Sequence, residues 1–86
     1  MYKLRYSAKS VKQLKKLDPF ARKMILNWLD KNINGCYDPH AHGKALTENL
    51  HGWRYRVGIY RIIADICQNS VTVLVLNVEK RDKSYK

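Results

Sequence analysis

The sequence predicts an α+β domain: a short N-terminal strand, a two-helix hairpin, and an antiparallel sheet that ends in a three-stranded meander. Three observations carry that expectation. Residues alternate over Tyr2 to Tyr6, a helical apolar period follows and is broken once at Asp18-Pro19, and the last third is built of β-branched and aromatic runs separated by turn residues. Strands and helices segregated in this way bury their apolar faces as one helical layer on one sheet. At 86 residues the chain is a single domain, 1–86.

Taken in order, Tyr2, Leu4 and Tyr6 point one way and Lys3 and Arg5 the other, the period of a strand. Ser7 is placed to cap a helix running to about Leu17, with Val11, Leu14 and Leu17 as its apolar stripe and Lys9, Lys12, Lys15 and Lys16 mostly off it. Asp18-Pro19 restarts the chain: a capping carboxylate followed by proline at the first helical position. The second helix turns Phe20, Met24, Ile25, Trp28, Leu29 and Ile33 inward and ends at Asn34-Gly35. The stretch from Gly35 to Gly52 reads as a long irregular loop held to the core by Leu46 and Leu50. Trp53 to Val57 and Tyr60 to Cys67 form a hairpin around the tight turn Gly58-Ile59. A turn near Asn69-Ser70 leads into a final strand, Val71 to Val78.

Charge narrows the function. Seventeen Lys and Arg stand against seven Asp and Glu, a formal charge of +10. Such an excess repels itself in the compact state and implies a polyanionic partner, nucleic acid before membrane. No segment approaches the roughly 18 apolar residues of a membrane span, and Met1 to Ser10 lacks the apolar core of a signal peptide. Cys36 and Cys67 are too few for a disulfide framework. The expectation is a cytoplasmic protein with no membrane partner.

The arginines are the informative residues. If Gly58-Ile59 is a two-residue turn, Arg56 lies opposite Arg61, and Arg54, two residues away, shares their face. Like charges directly opposed destabilise a sheet, so stability alone does not select this arrangement. Counting back from the next turn places Arg61 opposite Asn77 or Val78, with Lys80, Arg81 and Lys83 just beyond. Guanidinium forks match phosphate oxygens two at a time and stay charged at any working pH, so the cluster fits an RNA or DNA backbone.

The run Trp53-Arg54-Tyr55-Arg56-Val57-Gly58-Ile59-Tyr60-Arg61-Ile62-Ile63, the ending Val78-Glu79-Lys80-Arg81-Asp82-Lys83-Ser84-Tyr85, and the spacing from Lys44-Ala45-Leu46 to Leu50 and Gly52 resemble the RelE branch of the RelE/ParE toxin superfamily. The resemblance covers essentially the whole chain. It implies a RelE-like fold and a toxin that enters the ribosomal A site and cleaves messenger RNA there. It also implies a cognate antitoxin that wraps the toxin, and site roles for Arg54, Arg56, Arg61, Arg81 and Tyr85. The basic pair is Arg-x-Arg where some relatives carry lysines, and no histidine lies beyond His51. A lysine base at either position is therefore excluded here.

In such a reaction the RNA supplies its own nucleophile, the 2′-hydroxyl, and fixed donors stabilise the charge that develops on the phosphate. Arg61 and Arg81 take that part, and Arg54 and Arg56 orient the backbone. Tyr85 either accepts a proton or stacks on a base. Lys44, Lys80 and Lys83 are candidate RNA contacts. Asp65 and Asp82 read as ion-pair partners of the arginines. Trp28 and Trp53 read as packing. Cys36, His40, His42 and His51 fit no standard zinc spacing, so neither metal nor another cofactor is expected. Two other functions fit the same charge: a ParE-like inhibitor of DNA gyrase, and a nucleic-acid-binding module without catalysis. Apolar residues on both faces of the last two strands, Ile62, Ile63, Val73, Leu74, Val75 and Leu76, leave one face for a protein partner.

Overall fold

The computed structural model describes residues 1–46 and 52–80. The elements run β1 (Lys3–Tyr6), α1 (Ala8–Lys16), α2 (Pro19–Asn32), a 3-10 turn (Pro39–Ala41), β2 (Lys44–Ala45), β3 (Gly52–Val57), β4 (Tyr60–Cys67) and β5 (Thr72–Lys80). One five-stranded sheet has the order β1-β5-β4-β3-β2. The helices cover one of its faces, α1 against β5 and α2 against β3.

Each helix starts where its cap requires. Ser7 Oγ accepts from the Ser10 amide, and Asp18 accepts from the Ala21 amide. Each buried stripe departs from the expected one at a residue near its start. α1 buries Ser10 and Leu14, and leaves Val11 37% exposed. Ser10 is tolerated inside because its hydroxyl donates to the Ser7 carbonyl at 2.9 Å. In α2 the inward residues are Ala21, Ile25 and Leu29, continued by Ile33, whereas Phe20 is 78% exposed. Ala21, on the same turn, is buried, so Phe20 is excluded by the side of the helix it occupies. Met24 and Trp28 are half-buried at the margin of the core.

Two features of the sheet correct the sequence reading. β1 runs parallel to β5, Lys3 beside Thr72 through Tyr6 beside Val75, so the sheet is mixed. The long loop also contributes a strand, since Lys44 and Ala45 pair with Arg54 and Trp53. That loop is stitched to the domain by polar bonds. Tyr55 Oη donates to the Pro39 carbonyl at 2.6 Å, and Trp53 Nε1 donates to the His42 carbonyl at 2.5 Å. Pro39 is fully buried. Leu46 is half-buried; Leu50 lies outside the described residues.

The β3–β4 hairpin has the predicted register, Val57 opposite Tyr60 and Arg56 opposite Arg61, with Gly58 at φ +61° as the turn requires. The β4–β5 register differs. The connecting turn is longer than expected, and an irregularity between Ile63 and Ala64 leaves Leu76 as an extra residue in β5. A bulge reverses the phase of everything beyond it. Val73 and Val75 face the core before it, and Val78 returns to the core after it. Glu79 is consequently turned to the opposite face, beside Arg61.

Candidate functional site

The helix-free face of the sheet carries the arginines. Register and alternation set them in two rows. One row runs Arg56, Arg61, Glu79 across β3, β4 and β5. The next runs Lys44, Arg54, Ile63, Asn77 across β2 to β5. Four cations of the sequence reading, Lys44, Arg54, Arg56 and Arg61, thus occupy one corner of one face. Beneath them Tyr55 and Val57 fill the core, so the strand that presents Arg54 and Arg56 is anchored from below. Burial, with smaller contributions from Cys36 and Asp38, pushes the Tyr55 phenol well above its ordinary pKa. It remains a neutral donor to the loop that delivers Lys44.

Arg61 has a carboxylate partner that the sequence reading missed. Its Nη1 stands 3.8 Å from Glu79 Oε1, with the two side chains 30% and 44% exposed. An ion pair this open contributes about 0–1 kcal/mol to stability, so its interest is geometric. Asp65, expected as such a partner, forms no ion pair among the described residues, and its Oδ1 is buried without a hydrogen bond. The reason is position. Asp65 pairs with Gly52 and Leu74 at the far end of β4 from Arg61. Only the bulge brings Glu79 into the row of Arg61. In-phase alternation back from Glu79 to Asn77 was the available signal, and it points to Arg61 only once the bulge is known.

The remaining candidates separate. Lys80 lies opposite Tyr60, a core residue, so it belongs to the other side of the strand from Arg61 and does not extend the arginine row. Arg81, Asp82, Lys83 and Tyr85 lie outside the described residues, as does His51. His40 and His42 are held against different tryptophans. His40 meets Trp53 edge-on at 4.6 Å between ring centroids, and His42 meets Trp28 at 5.5 Å. Among the described residues no group of His, Cys, Asp and Glu is placed to hold a metal, and no helix is long and apolar enough to cross a membrane. The same open face shows half-buried Ile63 and Leu74 beside the cations.

Because Arg56 and Arg61 oppose each other, Arg56→Thr is expected to hold or raise the melting temperature. Thermal denaturation checks this; a clear fall in melting temperature would make the pair structural.

Comparison with known proteins agrees with this architecture. The chain superposes on the RelBE2 toxin–antitoxin complex of Mycobacterium tuberculosis with a TM-score of 0.82 and 25% identity, covering 94% of this chain and 93% of that one. It superposes on the isolated E. coli RelE toxin with a TM-score of 0.77 and 18% identity, over 99% and 89%. An archaeal RelE–RelB complex from Pyrococcus horikoshii OT3 gives 0.73 and 21%, over 96% and 98%. Compared by sequence with curated proteins, the chain has no match. The model of one family, the ParE toxin of the parDE type II toxin–antitoxin system, matches residues 4–85. With its sequence matched almost from end to end and its fold that of RelE toxins, the chain belongs to the RelE/ParE superfamily and is the toxin of a toxin–antitoxin pair.

Proposed function

We propose that this toxin is a ribosome-dependent endoribonuclease that cleaves messenger RNA in the A site and so stops translation in the cytoplasm. The observation that supports it best is the row of opposed arginines, Arg56 and Arg61, on the helix-free face with Arg54 and Lys44 beside them. A face shaped for stability alone would not hold like charges together. The solved relatives named above are RelE toxins, two of them in complexes with their antitoxins.

The chemistry follows from what arginine does well. The 2′-hydroxyl gives its proton to Tyr85 or to water and attacks the adjacent phosphorus, the P–O5′ bond breaks, the leaving O5′ takes a proton from water, and a 2′,3′-cyclic phosphate and a 5′-hydroxyl are left. Arg61, with Arg81 from the C-terminal segment, neutralises the added negative charge of the pentavalent state. Arg54 and Arg56 grip the backbone, and Lys44 and Lys83 add phosphate contacts. Tyr85 takes the 2′-hydroxyl proton or stacks a base for in-line attack. Arginine is a poor proton acceptor, so positioning must supply much of the rate, and a codon held taut by the ribosome supplies positioning. A cognate antitoxin covers this face in the resting complex, its acidic or apolar segment meeting the cations and Ile63 and Leu74.

One message, incubated with the protein in a single-turnover assay, tests the reading. Ribosomes with an empty A site should be needed for rapid cleavage, transfer RNA in that site should protect, and the products should end in cyclic or 3′-phosphate and 5′-hydroxyl. Equal rates with and without ribosomes would make it a free ribonuclease. A 5′-phosphate product would point to attack by water. The family model's ParE designation favours a second reading, inhibition of DNA gyrase. Under it no RNA is cut, and a supercoiling assay with purified gyrase loses activity.

A further inference from the structure

The Arg61 guanidinium stands at the end of a hydrogen-bonded chain that starts on the other edge of β5. β1 stops at Tyr6, beside Val75, so beyond that point this edge of β5 pairs with no strand among the described residues. α1 satisfies the open edge. The Ser7 amide donates to the Val75 carbonyl at 2.8 Å, Ser7 Oγ donates to the Leu76 carbonyl at 3.1 Å, and the Val78 amide donates to Gln13 Oε1 at 2.6 Å. The last bond dictates the rest. A backbone N–H only donates, so Gln13 must turn its oxygen to Val78. Its Nε2 then donates to Asn77 Oδ1 at 2.6 Å. Asn77 is left with Nδ2 to donate to Glu79 Oε2, and the other carboxylate oxygen faces Arg61. One backbone donor thus sets the polarity of every link.

We propose that Gln13, Asn77 and Glu79 are positioning residues for Arg61, with Glu79 drawing its guanidinium toward β5 and away from Arg56 so that a phosphate enters between the two arginines. The proposal rests on the RNA-cleaving reading above. Arg61 has Arg56 on one side of its row and Glu79 on the other, so repulsion and attraction act in the same direction. A guanidinium has five N–H donors in a rigid fork. A carboxylate at one nitrogen leaves the others for phosphate oxygens. A free Arg side chain would have to be ordered by the RNA at each turnover; here the ordering is done by the fold. The arrangement carries a signature, because a carboxylate in a phosphate-binding face also repels RNA. Removing it should strengthen binding and slow the reaction.

Glu79→Ala is therefore expected to lower the single-turnover cleavage rate on ribosomes by about 10- to 100-fold, the range that a misplacement of about 1 Å produces. Its affinity for RNA should stay the same or tighten. Glu79→Gln has one acceptor oxygen where Asn77 Nδ2 and Arg61 each need one, so it should recover only part of the rate. Gln13→Glu keeps the acceptor for the Val78 amide but removes the donor to Asn77, so it tests the chain without uncapping β5; it too should slow cleavage. Glu79→Ala cleaving at the wild-type rate or faster would overturn the proposal. A second measurement needs no RNA: the mobility of the Arg61 Nε–H by nitrogen-15 relaxation in the free protein. Restricted motion in the wild type, released by Asn77→Ala and by Gln13→Glu, supports the chain; equal mobility in all three overturns it. If the wild type cuts nothing, the RNA reading fails, and the relaxation result still decides whether Arg61 is held.

Discussion

Arg61→Ala is expected to reduce cleavage of ribosome-bound message by about 10²- to 10³-fold, the cost of deleting one fixed donor to the charge of a transition state. The melting temperature should move by no more than about 4 °C, because a partly exposed strand residue whose ion pair with Glu79 is open to solvent contributes about 0.5 kcal/mol or less. Loss of activity with retention of fold separates a chemical role from a structural one. The sign on stability is informative as well. Arg61 is repelled by Arg56 and attracted by Glu79, so its removal relieves one interaction and loses another. Single-turnover rates at saturating protein, with calorimetry on the same samples, measure both. Arg81→Ala should behave alike if the C-terminal arginine completes the set. A folded Arg61→Ala protein that cleaves normally would remove this residue from the mechanism.

Gly43→Ala should have the largest effect on stability, lowering the melting temperature by about 8 °C or more. Gly43 has φ +79°, a region where a side chain costs about 1–3 kcal/mol. A Cβ there would also fall well inside contact distance of the Arg54 carbonyl oxygen, with Trp53 Nε1 at 2.9 Å and Tyr55 Cδ1 at 3.0 Å. None of the three can yield freely. Arg54 is paired on both sides, with Lys44 and with Ile63, and Tyr55 is fully buried. Overpacking of this kind adds about 1–3 kcal/mol, and each kcal/mol is worth about 4–8 °C in a domain of this size. Gly35→Ala is the internal control. Gly35 has the same φ, but a Cβ there meets nothing within 4 Å, so only the backbone cost remains. Similar melting temperatures for the two variants would show that the approach of the loop to β3 is not tight.

The elements with strong local causes were legible. Ser7 and Asp18 cap the helices because a short acceptor side chain before an apolar period has one good use. Gly58 closes the first hairpin because its turn needs a positive φ, and that turn alone fixes Arg56 opposite Arg61. Three of the four cations that share the face, Arg54, Arg56 and Arg61, therefore followed from local rules. The helix stripes did not follow so closely. Ser10 replaces Val11 and Ala21 replaces Phe20 because the docking angle on the sheet selects the buried face, and small residues permit close approach.

What the sequence determined by itself is what neighbours along the chain decide: caps, turns, strand alternation, the net charge and the opposed arginines. Tertiary structure decided the rest. β1 lies beside and parallel to β5 because the helices carry the chain across one face to the β2 edge and the meander β3–β4–β5 brings it back. Whether Lys44 joins the arginines depends on a two-residue strand held by Tyr55 and Trp53, bonds between residues far apart in sequence. The placement of Glu79 depends on the extra residue at Leu76. Periodicity cannot see that residue, because a bulge costs little locally and is chosen by packing: Val73, Val75 and Val78 all reach the core only if β5 slips by one position between them. The same slip turns Glu79 to the arginine face, so the carboxylate beside Arg61 is a consequence of how the core is filled.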